Sequence, residues 1–70
     1  MKTIAKFKCE SVTEFKDQKE ALFWPVTDGS EENEKFFKYT PSGELKLQTI
    51  NKDVNFEPGK EYYIEIKLAE

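Results

Sequence analysis

Near the start of the chain, apolar and charged residues alternate with a period of two: Ala5, Phe7 and Cys9 against Lys6, Lys8 and Glu10. This pattern predicts a strand over Thr3–Val12 with one apolar and one charged face. A second strand is predicted over Ala21–Thr27. Its two faces, Leu22/Trp24/Val26 and Ala21/Phe23/Pro25, are both apolar, which suggests cover on both sides, while Pro25 lacks an N–H and belongs at a strand edge or end. Between them Glu14–Glu20 (EFKDQKE) reads as an exposed connection. Lys35–Thr40 reads as a third strand, with Phe36 and Lys38 opposing Phe37 and Tyr39. Glu44–Ile50 reads as a fourth, with Leu45, Leu47 and Thr49 inward against Lys46 and Gln48. Glu61–Leu68 has the most regular alternation, with Tyr62, Ile64, Ile66 and Leu68 against Tyr63, Glu65 and Lys67.

The punctuation between these runs is turn chemistry. Asp28-Gly29 opens a turn, and Ser30 can cap one helical turn through Glu31, Glu32, Asn33 and Glu34. Thr40-Pro41-Ser42-Gly43 reads as a hairpin turn between the third and fourth strands, with proline preset for the first corner and glycine for a left-handed one. Asn51–Glu57 reads as a loop with room for one short helical turn pinned by Val54 or Phe56, and Pro58-Gly59 is a further turn. Five short strands without a long helix, in 70 residues, predict an all-β fold in one domain spanning residues 1–70: a small five-stranded antiparallel barrel, SH3-like or OB-like. The Thr40–Gly43 turn is too short for the helix of an OB barrel, which favours SH3-like strand order.

In the segments NEKFFKYTPSGELKL and NFEPGKEYYIEI, with KFKCESVT near the start, the chain resembles a group of small uncharacterised bacteriophage and prophage proteins with a FFKYTPSG-like hairpin and a closing PGKEYY strand. The resemblance spans most of the chain. It implies a phage origin and favours accessory roles such as blocking a host defence system, sequestering a nucleotide signal or assisting replication; it carries no reaction and no catalytic residues.

Composition narrows the chemistry. All eleven basic residues are lysine, and histidine is absent. Without arginine there is no fork for bidentate contacts to phosphates or guanine edges, and without histidine the usual neutral-pH base and commonest metal ligand are missing. Cys9 is the one cysteine, so no disulfide or cysteine zinc site forms within the chain. It lies on the apolar face of its strand and reads as a small buried hydrophobe rather than a reactive thiol. Met1–Phe7 lacks the apolar stretch of a signal peptide, and no apolar run reaches membrane-spanning length, so the expected setting is cytoplasmic. No cofactor or metal site is predicted, and the chain is not expected to be an enzyme.

Two surfaces remain as candidates. The net charge of −3 is concentrated in residues 28–34 (DGSEENE), which hold four acids and no lysine, leaving the remainder near neutral. The aromatics are six Phe, three Tyr and one Trp, and three doublets (Phe23-Trp24, Phe36-Phe37, Tyr62-Tyr63) place one ring of each away from a one-sided core. The first reading is a non-catalytic accessory protein that binds a host protein through Glu31, Glu32, Glu34, Phe36, Tyr39 and Tyr63, with the outward rings as anchors. Self-association into a homo-oligomer is a further expectation. The alternative is an OB-like module for single-stranded nucleic acid or a nucleotide, using Lys6, Lys8, Lys46, Tyr39 and Tyr63 to neutralise phosphates and stack bases.

Overall fold

A computed structural model describes residues 2–27, 29–37 and 42–69. The described chain contains four strands and one short helix: β1 (Lys2–Phe15), β2 (Gln18–Pro25), α1 (Glu31–Phe37), β3 (Leu45–Thr49) and β4 (Glu61–Lys67). All strand pairs are antiparallel, in the order β3-β2-β1-β4. The last strand thus returns to lie beside the first, as in a Greek key. The all-β reading holds.

The alternation in the sequence is realised as two faces of one curled sheet. Cross-strand neighbours Cys9, Phe23 and Leu45, and likewise Ala5 with Ile64 and Phe7 with Tyr62, share the inner face. A bulge between Cys9 and Ser11 sets Ser11 opposite Leu22 and Val12 opposite Ala21. The extra residue keeps Val12 on the inner face despite the change of parity, and increases the local twist. Cys9, Ala21 and Phe23 are buried, with Phe7, Val12, Leu45, Phe56 and Tyr62 packed against them.

The connection from β3 to β4 crosses this inner face. Its Phe56 meets Phe23 edge-on at 5.0 Å, and both rings contact Tyr62 in the same manner at 5.5 and 5.7 Å. Such edge-to-face pairs set the positive ring edge against the negative face of the neighbour. The loop is fastened at three points: Lys19 Nζ donates to the Val54 carbonyl and Asn55 Oδ1, Glu57 N–H donates to the Tyr62 hydroxyl, and Gly59 N–H donates to the Cys9 carbonyl.

Three local expectations are corrected. The EFKDQKE stretch is not a long connection: β1 runs to Phe15, Lys16-Asp17 turns, and β2 begins at Gln18, with the oppositely charged Glu14 and Lys19 paired across the strands. The expected third strand is displaced by α1 through Phe37, because the Ser30 cap and the anchoring of Asn33 commit this segment to helix; residues 38–40 lie outside the described residues. The expected hairpin turn includes Thr40 and Pro41, which also lie outside the described residues. The sheet has four strands among the described residues, not five.

Pro25 closes β2 as expected. It faces Phe7, whose neighbours Lys6 and Lys8 carry the groups that bond toward β2, so the missing N–H removes no bond to β1. Beyond Pro25, where β1 would lose its neighbour, Asn33 takes over. Lys6 N–H donates to Asn33 Oδ1 at 2.6 Å, and Asn33 Nδ2 donates to the Lys6 and Val26 carbonyls at 2.7 and 2.8 Å. The buried carboxamide thus stands in for one residue of a missing strand. Asn33→Ala would leave these backbone groups unsatisfied, and is expected to destabilise the fold by roughly 2–4 kcal/mol in urea denaturation.

The β1–β2 turn makes a second prediction. Lys16 has φ of 33°, a left-handed conformation that crowds a Cβ but not a glycine. Lys16→Gly relieves that crowding at the cost of a more flexible unfolded chain, and the balance is an expected gain of about 0.5–1 kcal/mol, read as a higher Tm.

Candidate functional site

The outer sheet face carries the residues opposite the core: Lys2, Ile4, Lys6 and Lys8 on β1, Leu22 and Trp24 on β2, Lys46 on β3, and Glu61, Tyr63, Glu65 and Lys67 on β4. The register sets Lys6 beside Tyr63 and Lys8 between Trp24 and Glu61. Alternation decides each strand doublet: Phe23 is 1% exposed and Trp24 48%, while Tyr62 is half-buried and Tyr63 61% exposed. The third doublet is resolved by the helix. Phe36, 42% exposed, lies one turn after Glu32 on the same stripe, and its ring meets the half-buried Phe37 edge-on at 4.8 Å.

Helix α1 is joined to this face by a chain of polar contacts that begins at its cap. Ser30 Oγ accepts the Asn33 N–H at 3.2 Å, and the Ser30 carbonyl accepts the Glu34 N–H. The same Ser30 hydroxyl donates to Glu32 Oε2 at 3.0 Å, and the Tyr63 hydroxyl donates to Glu32 Oε1 at 3.0 Å. Lys6 Nζ lies 5.4 Å from the centre of the Tyr63 ring and 3.9 Å from Glu61 Oε1. The Glu32 carboxyl is held below its usual range by its own backbone N–H first, then by the Ser30 and Tyr63 hydroxyls, with a smaller attraction from Lys6.

The expected protein-binding residues are thus partly brought together. Glu32 and Tyr63 meet beside Lys6, and Phe36 follows Glu32 by one turn on the same helical stripe. Glu31 and Glu34 are exposed on other sides of α1, since successive helical positions are about 100° apart. Tyr39 lies outside the described residues. Of the nucleic-acid set, Lys6, Lys8, Lys46 and Tyr63 do share the outer face, but Lys46 is separated from Lys6 and Lys8 by β2. Acids accompany the lysines on β1 and β4: Lys2 and Lys67 each approach Glu65, at 3.8 and 3.9 Å, and Lys6 approaches Glu61.

Two contributors escaped the sequence reading. Asn33 sits among acids in a polar stretch, and nothing nearby marks it as buried. Trp24 was legible only as one of a doublet, and the register shows it to be the outward ring, bordering a shallow groove with Lys8, Glu10, Val26 and Glu61. Cys9 is fully buried, its thiol donating to the Ser11 carbonyl, and burial pushes its pKa up. Among the described residues no group of acidic or cysteine side chains is arranged to hold a metal ion, and no helix is long and apolar enough to cross a membrane.

The depressed Glu32 carboxyl fixes a sign. A carboxylate favoured in the folded state adds stability above the pKa of the unfolded chain, and that increment is lost as pH falls through the lower folded value. Glu32→Gln is therefore expected to flatten the acid side of the stability curve, below the usual glutamate range, when urea midpoints are measured against pH. Tyr63→Phe, which removes one donor, should shift the Glu32 titration upward in carbon-detected NMR. No family model, curated protein or solved structure significantly matches the chain.

Proposed function

We infer that this chain is a non-catalytic binding module that docks a protein partner on the outer face around Glu32, Phe36, Tyr63 and Trp24. The observation that carries this reading is the state of Tyr63. Tyr63 is 61% exposed, yet its hydroxyl is held by Glu32 and a lysine stands over its ring. An aromatic that is both open to solvent and already oriented loses little freedom on binding, which is the property of an anchor residue.

Charge favours a protein over a nucleic acid. A single-strand platform needs lysines free to neutralise phosphates, whereas Lys2, Lys6 and Lys67 stand beside glutamates. Exposed Glu31 and Glu34 add negative charge next to the aromatic face, so the complementary partner surface carries basic residues around an apolar centre. The resemblance to phage accessory proteins makes a bacterial host protein the natural partner, with inhibition of a host defence system as one such role. The curled sheet is compatible with part of an SH3-like or OB-like barrel.

The test is capture from bacterial host lysate by immobilised protein, followed by titration of the purified captured protein. Phe36→Ala with Tyr63→Ala should weaken the interaction at least tenfold while the circular dichroism spectrum stays folded. Phe15→Ala, removing a comparably exposed ring at the β1–β2 turn, should leave it unchanged. A folded double variant with undiminished affinity overturns the reading, as does saturable binding of single-stranded oligonucleotides in place of protein.

A further inference from the structure

We propose that the outer edge of β4 is a self-association surface, on which two copies of the chain pair β4 with β4 antiparallel across a two-fold axis at Ile64. Among the described residues β4 ends the sheet and pairs only with β1. Its register with β1 is regular over Glu61–Lys67, with no bulge, and the segment contains no proline. Bulges, prolines and charged side chains are the usual devices that spoil such an edge; the first two are absent here, and the charges of β4, of both signs, oppose or favour a second copy according to register.

The pairing groups follow from the ladder. Cys9 exchanges backbone bonds with Lys60 and Gly59 on the β4 side, while Lys6 directs its N–H and C=O to Asn33 and Val26 on the other. Ala5, Phe7 and Cys9 therefore bond toward β4, and on β4 Tyr62, Ile64 and Ile66 bond back. The backbone groups of Glu61, Tyr63, Glu65 and Lys67 point away from the sheet.

Charge and the length of strand used then select one register. Two antiparallel copies keep their inner and outer faces aligned only when the axis passes through a residue. At Tyr63 it would set Glu61 opposite Glu65 of the second copy, twice over. At Glu65 it would set Glu65 against itself. At Tyr62 or Ile66 only two of the outward-bonding residues of β4 would meet each other, Glu61 with Tyr63 or Glu65 with Lys67, and the other two would face positions beyond the strand. At Ile64 it sets Glu61 opposite Lys67 at both ends, Tyr63 opposite Glu65, and on the inner face Ile64 against Ile64 and Tyr62 against Ile66. Opposite charges facing each other across strands stabilise and like charges oppose. All four outward-bonding residues are used in this register, and Ile66, 44% exposed in the single chain, gains an aromatic neighbour. The contact is isologous and closed, so it yields a dimer with one eight-stranded sheet rather than a filament.

Sedimentation equilibrium across micromolar to near-millimolar concentration tests this. The unmodified chain should fit a monomer–dimer equilibrium. Glu61→Lys or Lys67→Glu alone should weaken dimerisation at least tenfold, and the two together should restore it, since the exchanged charges face each other again. Glu65→Pro should abolish the dimer yet leave the monomer folded by circular dichroism, because the N–H it removes points away from β1. Hydrogen exchange should show the Tyr63 and Glu65 amides protected at high concentration only. A strictly monomeric chain, a dimer indifferent to both single charge changes, a double swap that fails to restore it, or growth beyond the dimer would each overturn the proposal.

Discussion

The contact on which the arrangement depends is the carboxamide of Asn33 against the backbone of Lys6. Strand β1 is nearly twice as long as β2, so among the described residues its first part, Lys2 to Lys6, has β4 on one side and no strand on the other. Backbone N–H and C=O groups left there without partners would each carry a desolvation cost wherever the edge is covered. Asn33 supplies an acceptor and a donor in the spacing of a peptide group, and its second amide hydrogen holds Val26 as the chain leaves β2. One side chain thereby ends the β1–β2 ladder, places α1 beside β1 and sets the entrance angle of the helix.

The outer face depends on that placement. Ser30 caps the helix and orients Glu32, and Glu32 can reach Tyr63 only because Asn33 has brought the start of α1 against β1. The core lies on the inner face, where Phe23, Phe56 and Tyr62 form an edge-to-face trio under the β3–β4 connection. Loop fastening there depends on Lys19, which the pairing of β1 with β2 carries to the loop. A small buried core and a polar clamp thus divide the work of holding a thin sheet whose extents are 39 × 32 × 16 Å. The thinness leaves Leu47 and Ile66 exposed on the inner face, along with Tyr63 and Trp24 on the outer one. For a chain of this size, apolar surface that its own interior does not cover is a general reason for association.

Much of the sheet was legible because alternation is a local signal. Ala5, Phe7 and Cys9, then Tyr62, Ile64 and Ile66, repeat with the period of a pleat, and the structure puts them on one face. The same rule misread Lys35–Phe37. Over so few residues the doublet Phe36-Phe37 fits a strand with one ring out or a helix with the rings on adjacent stripes, and the Ser30 cap decides for helix. It also misread Glu14–Glu20, where polarity suggested a loop and opposite charges paired across a hairpin instead.

The sequence by itself determined the fold class, the opposite faces of Tyr62 and Tyr63, the helix cap at Ser30 and the buried character of Cys9. Each follows from spacing within a few residues. Tertiary structure alone decided the strand order, the role of Asn33 and the meeting of Glu32 with Tyr63. Those depend on partners 27 and 31 residues apart, and no local pattern encodes which backbone groups a short strand will leave for a side chain to complete.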